Sequence, residues 1–235
     1  MTAFAQKIKN RFYKNEDHPY EIFEDRVQTL LKAGDTLLDA GCGRTAPVLQ
    51  KFKLVAGRLI GVDLVDPRDV AEGLEYYKAD LGAIPVDDAS VDLVISRSVF
   101  EHIEDPESVY QEAHRILKPG GHLVFLTANI WDYGTVIARL VPNRFHSKIV
   151  KAVEGRPEED TFPTAYKTNS PGAVNRLAEG AGFRVHSFEY LNQYPNYFMF
   201  NGALFLLGVG YEKLTSRFHS LRFLRGWILV TLQKS

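Results

Sequence analysis

The chain reads as an α/β protein built on a doubly wound, mostly parallel seven-stranded sheet, and three observations predict it. Apolar runs alternate with helical patterns along its 235 residues, the order expected when strands lie side by side and helices cover both faces. Leu37-Leu38-Asp39-Ala40-Gly41-Cys42-Gly43 enters a Gly-x-Gly turn, where bare backbone lets a ligand approach outward-pointing N–H groups. Leu59-Ile60-Gly61-Val62-Asp63 then reads as a second strand ending in a lone acid, suited to accept two hydrogen bonds from a ribose diol. Together these place a nucleoside-bearing cofactor at the carboxyl ends of parallel strands.

The elements follow in order. Tyr20 to Leu31 is an amphipathic helix with Ile22, Phe23, Val27, Leu30 and Leu31 on one face, and Gly34-Asp35 ends it ahead of strand one. Lys78-Ala79-Asp80-Leu81 closes a third strand, and Val91 to Ser96 is a fourth, rich in β-branched residues. Asp105-Pro106 starts a helix with proline at its first position. Leu117-Lys118-Pro119-Gly120-Gly121 stops that helix and turns into a fifth strand through Leu126. Ser170-Pro171 starts another helix, stopped at Gly180-Ala181-Gly182. Phe183 to Tyr190 is a sixth strand and Trp227 to Leu232 a seventh. The run Tyr197 to Tyr211 is strongly apolar, but fifteen residues interrupted by Asn201 and Gly202 fall short of a membrane span. It reads as a helix packed on the sheet between the last two strands. A peripheral membrane or lipid-linked role, supported by Lys213, Arg217, Arg222 and Arg225, is the less favoured reading.

Two cofactors compete for the glycine turn. Gly41-Cys42-Gly43-Arg44-Thr45-Ala46 satisfies the dinucleotide fingerprint, with Asp63 twenty residues beyond Gly43. Asp39 departs from it. A carboxylate there faces a pyrophosphate badly but suits a cofactor with a cationic amino-acid tail, as S-adenosylmethionine has. Asp39 capping the following turn is the plainer alternative.

With these motifs the chain resembles the class I S-adenosylmethionine-dependent methyltransferases, in the type 11-like domain group. The residues that carry the likeness are Asp39-Ala40-Gly41-Cys42-Gly43, Gly61-Val62-Asp63, Phe100-Glu101-His102-Ile103 with Asp105-Pro106, and Leu117 to Gly121. The resemblance implies a Rossmann-like methyltransferase fold whose last strand runs antiparallel beside the sixth. It implies a cofactor shell of Asp39, Gly41, Cys42, Gly43, Asp63, Leu64, Asp80, Leu81 and Ser96, with Asp63 on the ribose and Asp80 and Leu81 on the adenine. Glu101 and His102 are the catalytic candidates, because the turn after strand four lines the acceptor pocket in that family. His102 has the chemistry of a general base, while hydrogen bonding within the turn is the equally weighted alternative.

Residues 1–235 read as a single domain: an N-terminal helical cap (1–34), a cofactor-binding core (36–129), a lid or substrate insertion after strand five (130–168) and the C-terminal part of the sheet (169–235). The insertion lies over the sheet edge where ligands bind, and it carries aromatics with Arg139, Arg144, His146, Lys148 and Lys151 uninterrupted by acid. Tyr133, Arg144, His146 and Tyr166 are its candidate acceptor contacts, for an acceptor with an anionic group. A solvated basic face is the alternative.

Net charge −1 provides no general drive towards nucleic acid. The single cysteine, Cys42, excludes disulfides and cysteine metal sites and suits a reducing cytosol. It reads as a packing residue. No signal-peptide pattern opens the chain, since Met1 to Asn15 carries four lysines or arginines. The expectation is a cytoplasmic, metal-free methyltransferase of a biosynthetic or tailoring pathway acting on a small or medium-sized acceptor. An NAD(P)-dependent oxidoreductase, or a non-catalytic scaffold of the same fold, is the alternative.

Overall fold

The computed structural model describes residues 2–14, 16–140 and 162–235, the side chains of 138–140 aside. Seven strands form one sheet: β1 (Thr36–Ala40), β2 (Arg58–Asp63), β3 (Leu74–Lys78), β4 (Val91–Arg97), β5 (Leu117–Ala128), β6 (Phe183–Leu191) and β7 (Trp227–Lys234). Their spatial order is β3-β2-β1-β4-β5-β7-β6. β1 pairs in parallel with β2 and β4, as do β2 with β3 and β4 with β5. β7 runs against β5: Lys234 Nζ reaches the Leu117 carbonyl at 2.8 Å, and the Asn129 amide reaches the Gly226 carbonyl at 2.9 Å. The sheet is therefore the mixed, seven-stranded one the sequence predicts.

Between the strands lie α1 (Ala3–Phe12), α2 (Pro19–Leu30), α3 (Pro47–Gln50), α4 (Pro106–Ile116), α5 (Tyr133–Leu140), α6 (Pro171–Ala181) and α7 (Gly202–Arg217). The chain divides into two compact units. The larger comprises Tyr20–Thr127, Ala165–Glu189 and Leu229–Ser235. The smaller comprises Met1–Pro19, Ala128–Thr164 and Tyr190–Ile228.

In the larger unit the parallel strands are buried on both faces, so they read as apolar runs and not as alternation. All five residues of β1 are buried. On one side Val109, Tyr110, Ala113 and Ile116 of α4 meet Val174, Leu177 and Ala178 of α6. Each such buried aliphatic side chain is worth about 1.5–3 kcal/mol relative to exposure. α4 starts as expected: the Asp105 carboxylate accepts from the Ser108 amide at 3.3 Å, with Pro106 at the first position. The Lys118–Gly121 turn does not precede β5 but interrupts its pairing. The register jumps from Val91↔Leu117 to Leu93↔His122, and Gly120 takes φ +79° at the bulge.

The glycine turn leads only into the four-residue α3. Ala46 sits in the left-handed region (φ +44°) and Pro47 opens the single turn, so regular helix cannot begin earlier. A one-turn helix has little macrodipole to offer a pyrophosphate.

In the smaller unit, α1 and α7 lie side by side, with Ala5 and Ile8 packed on Phe205 and Val209. Asn201 caps α7 by accepting from the amides of Ala203 (3.0 Å) and Leu204 (3.2 Å). The apolar run Tyr197 to Tyr211 was expected to pack on the sheet; its described core cluster is instead with α1. No helix among the described residues is long and apolar enough to cross a membrane.

Candidate cofactor and acceptor site

The carboxyl ends of β1 and β2 bring the glycine turn and its acids together. The amides of Gly41 and Cys42 both donate to the Val62 carbonyl, at 2.8 and 3.2 Å. The Asp63 carboxylate accepts from the Gly43 amide at 2.7 Å and from the Val65 amide at 3.2 Å. Gly41 has φ +85°, and a Cβ there would lie 2.3 Å from Val99 Cγ2, so only glycine lets the turn seat against Val99. Gly43 has φ +68°, yet a Cβ there would meet nothing among the described residues within 4 Å, so its backbone borders open space among them.

Asp39 is 2% exposed. Its carboxyl is pushed up to about 7, first by burial and then by Asp63, against the opposing pull of Arg97. No hydrogen bond to it contributes among the described residues. Arg97 is itself held, donating to Glu24 at 2.9 Å and lying 4.2 Å from the Tyr20 ring centroid. Cys42 packs on Gly61, where a Cβ would come within 2.8 Å of its sulfur. Burial raises its thiol, and Asp39 and Asp63 raise it further, so it is not a thiolate nucleophile.

The remaining expected cofactor residues divide. Leu64 is 53% exposed beside Asp63. Asp80 is exposed two residues beyond β3 and accepts from the Gly82 amide at 2.7 Å, with Leu81 half-buried next to it. The Ser96 hydroxyl instead donates to the buried Ala40 carbonyl at 2.7 Å, stitching β4 to β1.

After β4, Ser98 takes φ +59° and Phe100–His102 form one 3₁₀ turn. Phe100 anchors it, stacked on Phe125 at 4.1 Å between ring centroids. Glu101 is buried and its carboxylate accepts from the Thr127 hydroxyl at 2.5 Å. Thr127 in turn accepts from Asn169 at 2.9 Å, and the Glu101 carbonyl takes the amides of Ala165 (2.7 Å) and Tyr166 (3.0 Å). This network ties Glu101 to β5 and to the 165–169 segment. His102 is half-buried on the same turn, its amide donating to the Val99 carbonyl at 2.8 Å.

Among the acceptor candidates, Tyr166 joins this turn, with φ +52°. Tyr133 belongs to the smaller unit, stacked on Phe198 at 5.6 Å and edge-on to Tyr211 at 5.0 Å. Arg144 and His146 lie outside the described residues. The sequence motifs did not reveal Arg97, Val99, Thr127 or Asn169, whose roles arise from contacts between distant segments. Among the described residues no cluster of His, Cys, Asp and Glu could hold a metal.

Comparison with known proteins agrees with this geometry. Residues 38–125 match the family described as "Methyltransferase domain". A probable S-adenosylmethionine-dependent methyltransferase of Mycolicibacterium smegmatis is 33% identical over 152 residues, covering 62% of this chain and 56% of that protein. An uncharacterised 37.1 kDa protein of a Streptomyces fradiae transposon is 32% identical over 171 residues, covering 66% and 45%. The chain thus spans about half the length of these curated relatives. Among solved structures, geranyl diphosphate C-methyltransferase from Streptomyces coelicolor superposes with a TM-score of 0.56 at 18% identity, covering 92% of this chain and 76% of that one.

Proposed function

We propose that this protein transfers the methyl group of S-adenosylmethionine to a small or medium-sized acceptor, a reading supported by the match of residues 38–125 to the methyltransferase domain family and by the class I methyltransferase fold of the sheet. The observation that carries the reading is Asp39, a buried acid at the glycine turn with a raised pKa and a nearby second acid. Such a carboxylate calls for a cation, and the cofactor's ammonium is one. A pyrophosphate would bring two further negative charges to the same place.

The residues fit the cofactor. Gly41 and Gly43 keep the backbone bare, with open space at Gly43. Asp39 would hold the amino-acid tail, Asp63 the ribose hydroxyls, and Asp80 with Leu81 the adenine. When bound, the cofactor supplies an electrophilic methyl group on a sulfonium. Positioning of the acceptor supplies much of the rate in such a displacement. The Glu101 network fixes the turn that presents His102, and His102 takes the acceptor's proton where that acceptor is a weakly acidic hydroxyl.

The acceptor class favoured is anionic. Arg139, Arg144, His146, Lys148 and Lys151 form an acid-free run, and the similar Streptomyces coelicolor enzyme is named for a diphosphate substrate. The setting is a cytoplasmic biosynthetic or tailoring pathway, in keeping with one buried, unpaired cysteine.

The test is titration calorimetry with S-adenosylhomocysteine and, separately, NAD. Binding of the first alone is expected. Tight NAD binding would overturn the reading in favour of an oxidoreductase.

A further inference from the structure

The exposed apolar surface of this protein is concentrated in one unit. Every exposed large apolar side chain among the described residues, except Leu54 and Leu64, lies in the smaller unit. α7 shows why. Its inner face is Phe205, Gly208, Val209, Glu212 and Thr215, all buried. Its outer face, at the i, i+3/i+4, i+7 spacing, is Ala203, Leu206, Leu207, Gly210 and Leu214, all exposed. Leu207 is 72% exposed. A helix apolar on both faces is not finished by packing on one side. Phe200 precedes this helix and Phe218 follows it, at 61% and 51% exposure.

The charges flanking this face among the described residues are mostly basic, Lys213 being paired with Glu16. α1 lies along α7, with Phe4 against Gly202 at one end and Lys213 Nζ on the Phe12 carbonyl at 3.2 Å towards the other. Residues 2–14 contain Lys7, Lys9, Arg11 and Lys14 and no acid. Residues 213–227 contain Lys213, Arg217, Arg222 and Arg225 and no acid. Lys7, Arg11 and Arg217 are exposed. In a chain of net charge −1 this is a local concentration, not a general basic balance.

We propose that the outer face of α7, with the basic residues of α1 and of the segment after α7, docks the protein on the surface of an anionic lipid bilayer. Apolar side chains enter the headgroup boundary while lysine and arginine meet lipid phosphates. The helix lies in the interface plane and is too short and too interrupted to cross it. The charge pattern favours lipid over a second copy of the chain, because a self-complementary contact would bring these like charges together.

The experiment is cosedimentation of the full chain with vesicles of phosphatidylcholine alone, and of phosphatidylcholine and phosphatidylglycerol in equal parts, at low and high salt. The protein should bind the anionic vesicles preferentially and be released by salt. The paired substitution Leu207→Glu with Leu214→Glu should weaken binding roughly tenfold or more, and Arg217→Gln about fivefold. Both variants should keep the parent's melting temperature, because the altered side chains are exposed. Light scattering completes the test. A dimer that the paired substitution dissociates, without vesicle binding by the parent, would overturn the proposal in favour of self-association. Equal binding by parent and paired variant, or binding to neither vesicle, would also overturn it. S-adenosylhomocysteine affinity is unchanged in these variants, so the outcome is independent of the proposed methyl transfer.

Discussion

The Asp63 carboxylate holds the Gly43 amide at 2.7 Å, joining the tip of β2 to the glycine turn across twenty residues. One side chain thus shapes the turn from the position where a ribose would be met. Asp63→Ala should remove both effects and weaken S-adenosylhomocysteine binding by one to two orders of magnitude, roughly 2–3 kcal/mol. Asp63→Asn retains an oxygen for Gly43 and should lose less. Calorimetry on the two variants separates the contributions.

Gly41 and Gly43 should respond differently to alanine. At Gly41 the added methyl meets Val99 at 2.3 Å in a left-handed backbone, so destabilisation of roughly 2–3 kcal/mol is expected. At Gly43 only the backbone penalty applies, about 1 kcal/mol, but a methyl placed in the open space should impair cofactor binding strongly. Thermal melts set against calorimetry give the contrast. Gly43→Ala with unaltered affinity would place the cofactor elsewhere.

Asp39 predicts a pH dependence with a definite sign. Its carboxyl rises from 3.8 to about 7 on folding, so its contribution to stability is complete below about pH 4 and lost as pH rises through about 7. The parent's melting temperature should therefore fall relative to Asp39→Asn across that range and then run parallel. Asp39→Asn should be the more stable protein at pH 8 and the poorer binder of S-adenosylhomocysteine. A binding heat that depends on the buffer near pH 6 would record the proton Asp39 releases to meet the ammonium.

Glu101 and His102 are neighbours with separable consequences. Glu101→Ala strands the buried Thr127 hydroxyl and should cost roughly 2–3 kcal/mol of stability. His102→Ala should leave melting unaltered and lower turnover about 10²-fold where a hydroxyl acceptor is used. Cofactor affinity should stay constant for His102→Ala. Near-full turnover would assign His102 to the turn alone.

In the smaller unit, Glu212 is buried with one carboxylate oxygen lacking a partner among the described residues. Burial, with help from Asp132 and Glu16, pushes it up to about 8. Its stabilising contribution is thus present below about pH 4.5 and lost as pH rises through about 8. Glu212→Gln should melt above the parent at pH 9, and the gap should close on acidification.

The cofactor edge was legible because its information is local: a glycine turn, a strand-end acid and their spacing lie within one β-turn-β segment. The shortness of α3 was not, since it depends on the left-handed Ala46 ahead of Pro47. Ser96 lies in β4, where its hydroxyl donates to the Ala40 carbonyl, a partner that only strand pairing supplies. The tie between Glu101 and Thr127 was not legible either, since it forms only once β5 and the 165–169 segment are brought beside the turn. The apolar run of α7 announced a helix, while periodicity says nothing of which neighbour it meets. Asp39 was the informative exception, because a buried charge out of keeping with one cofactor already argues for another.

The position of β7 bears on how the chain emerges from the ribosome. This strand, last in the chain, lies between β5 and β6. Until residues 227–234 have been made, the nascent chain holds two strands whose facing edges have no partner, an arrangement prone to pair with other chains. Ile228, Leu229, Val230 and Leu232, all fully buried in the finished sheet, arrive together as the piece that closes it. Folding of the sheet is thus held back until residues 227–234 are made, and a translational stall shortly before Trp227 leaves those edges open longest.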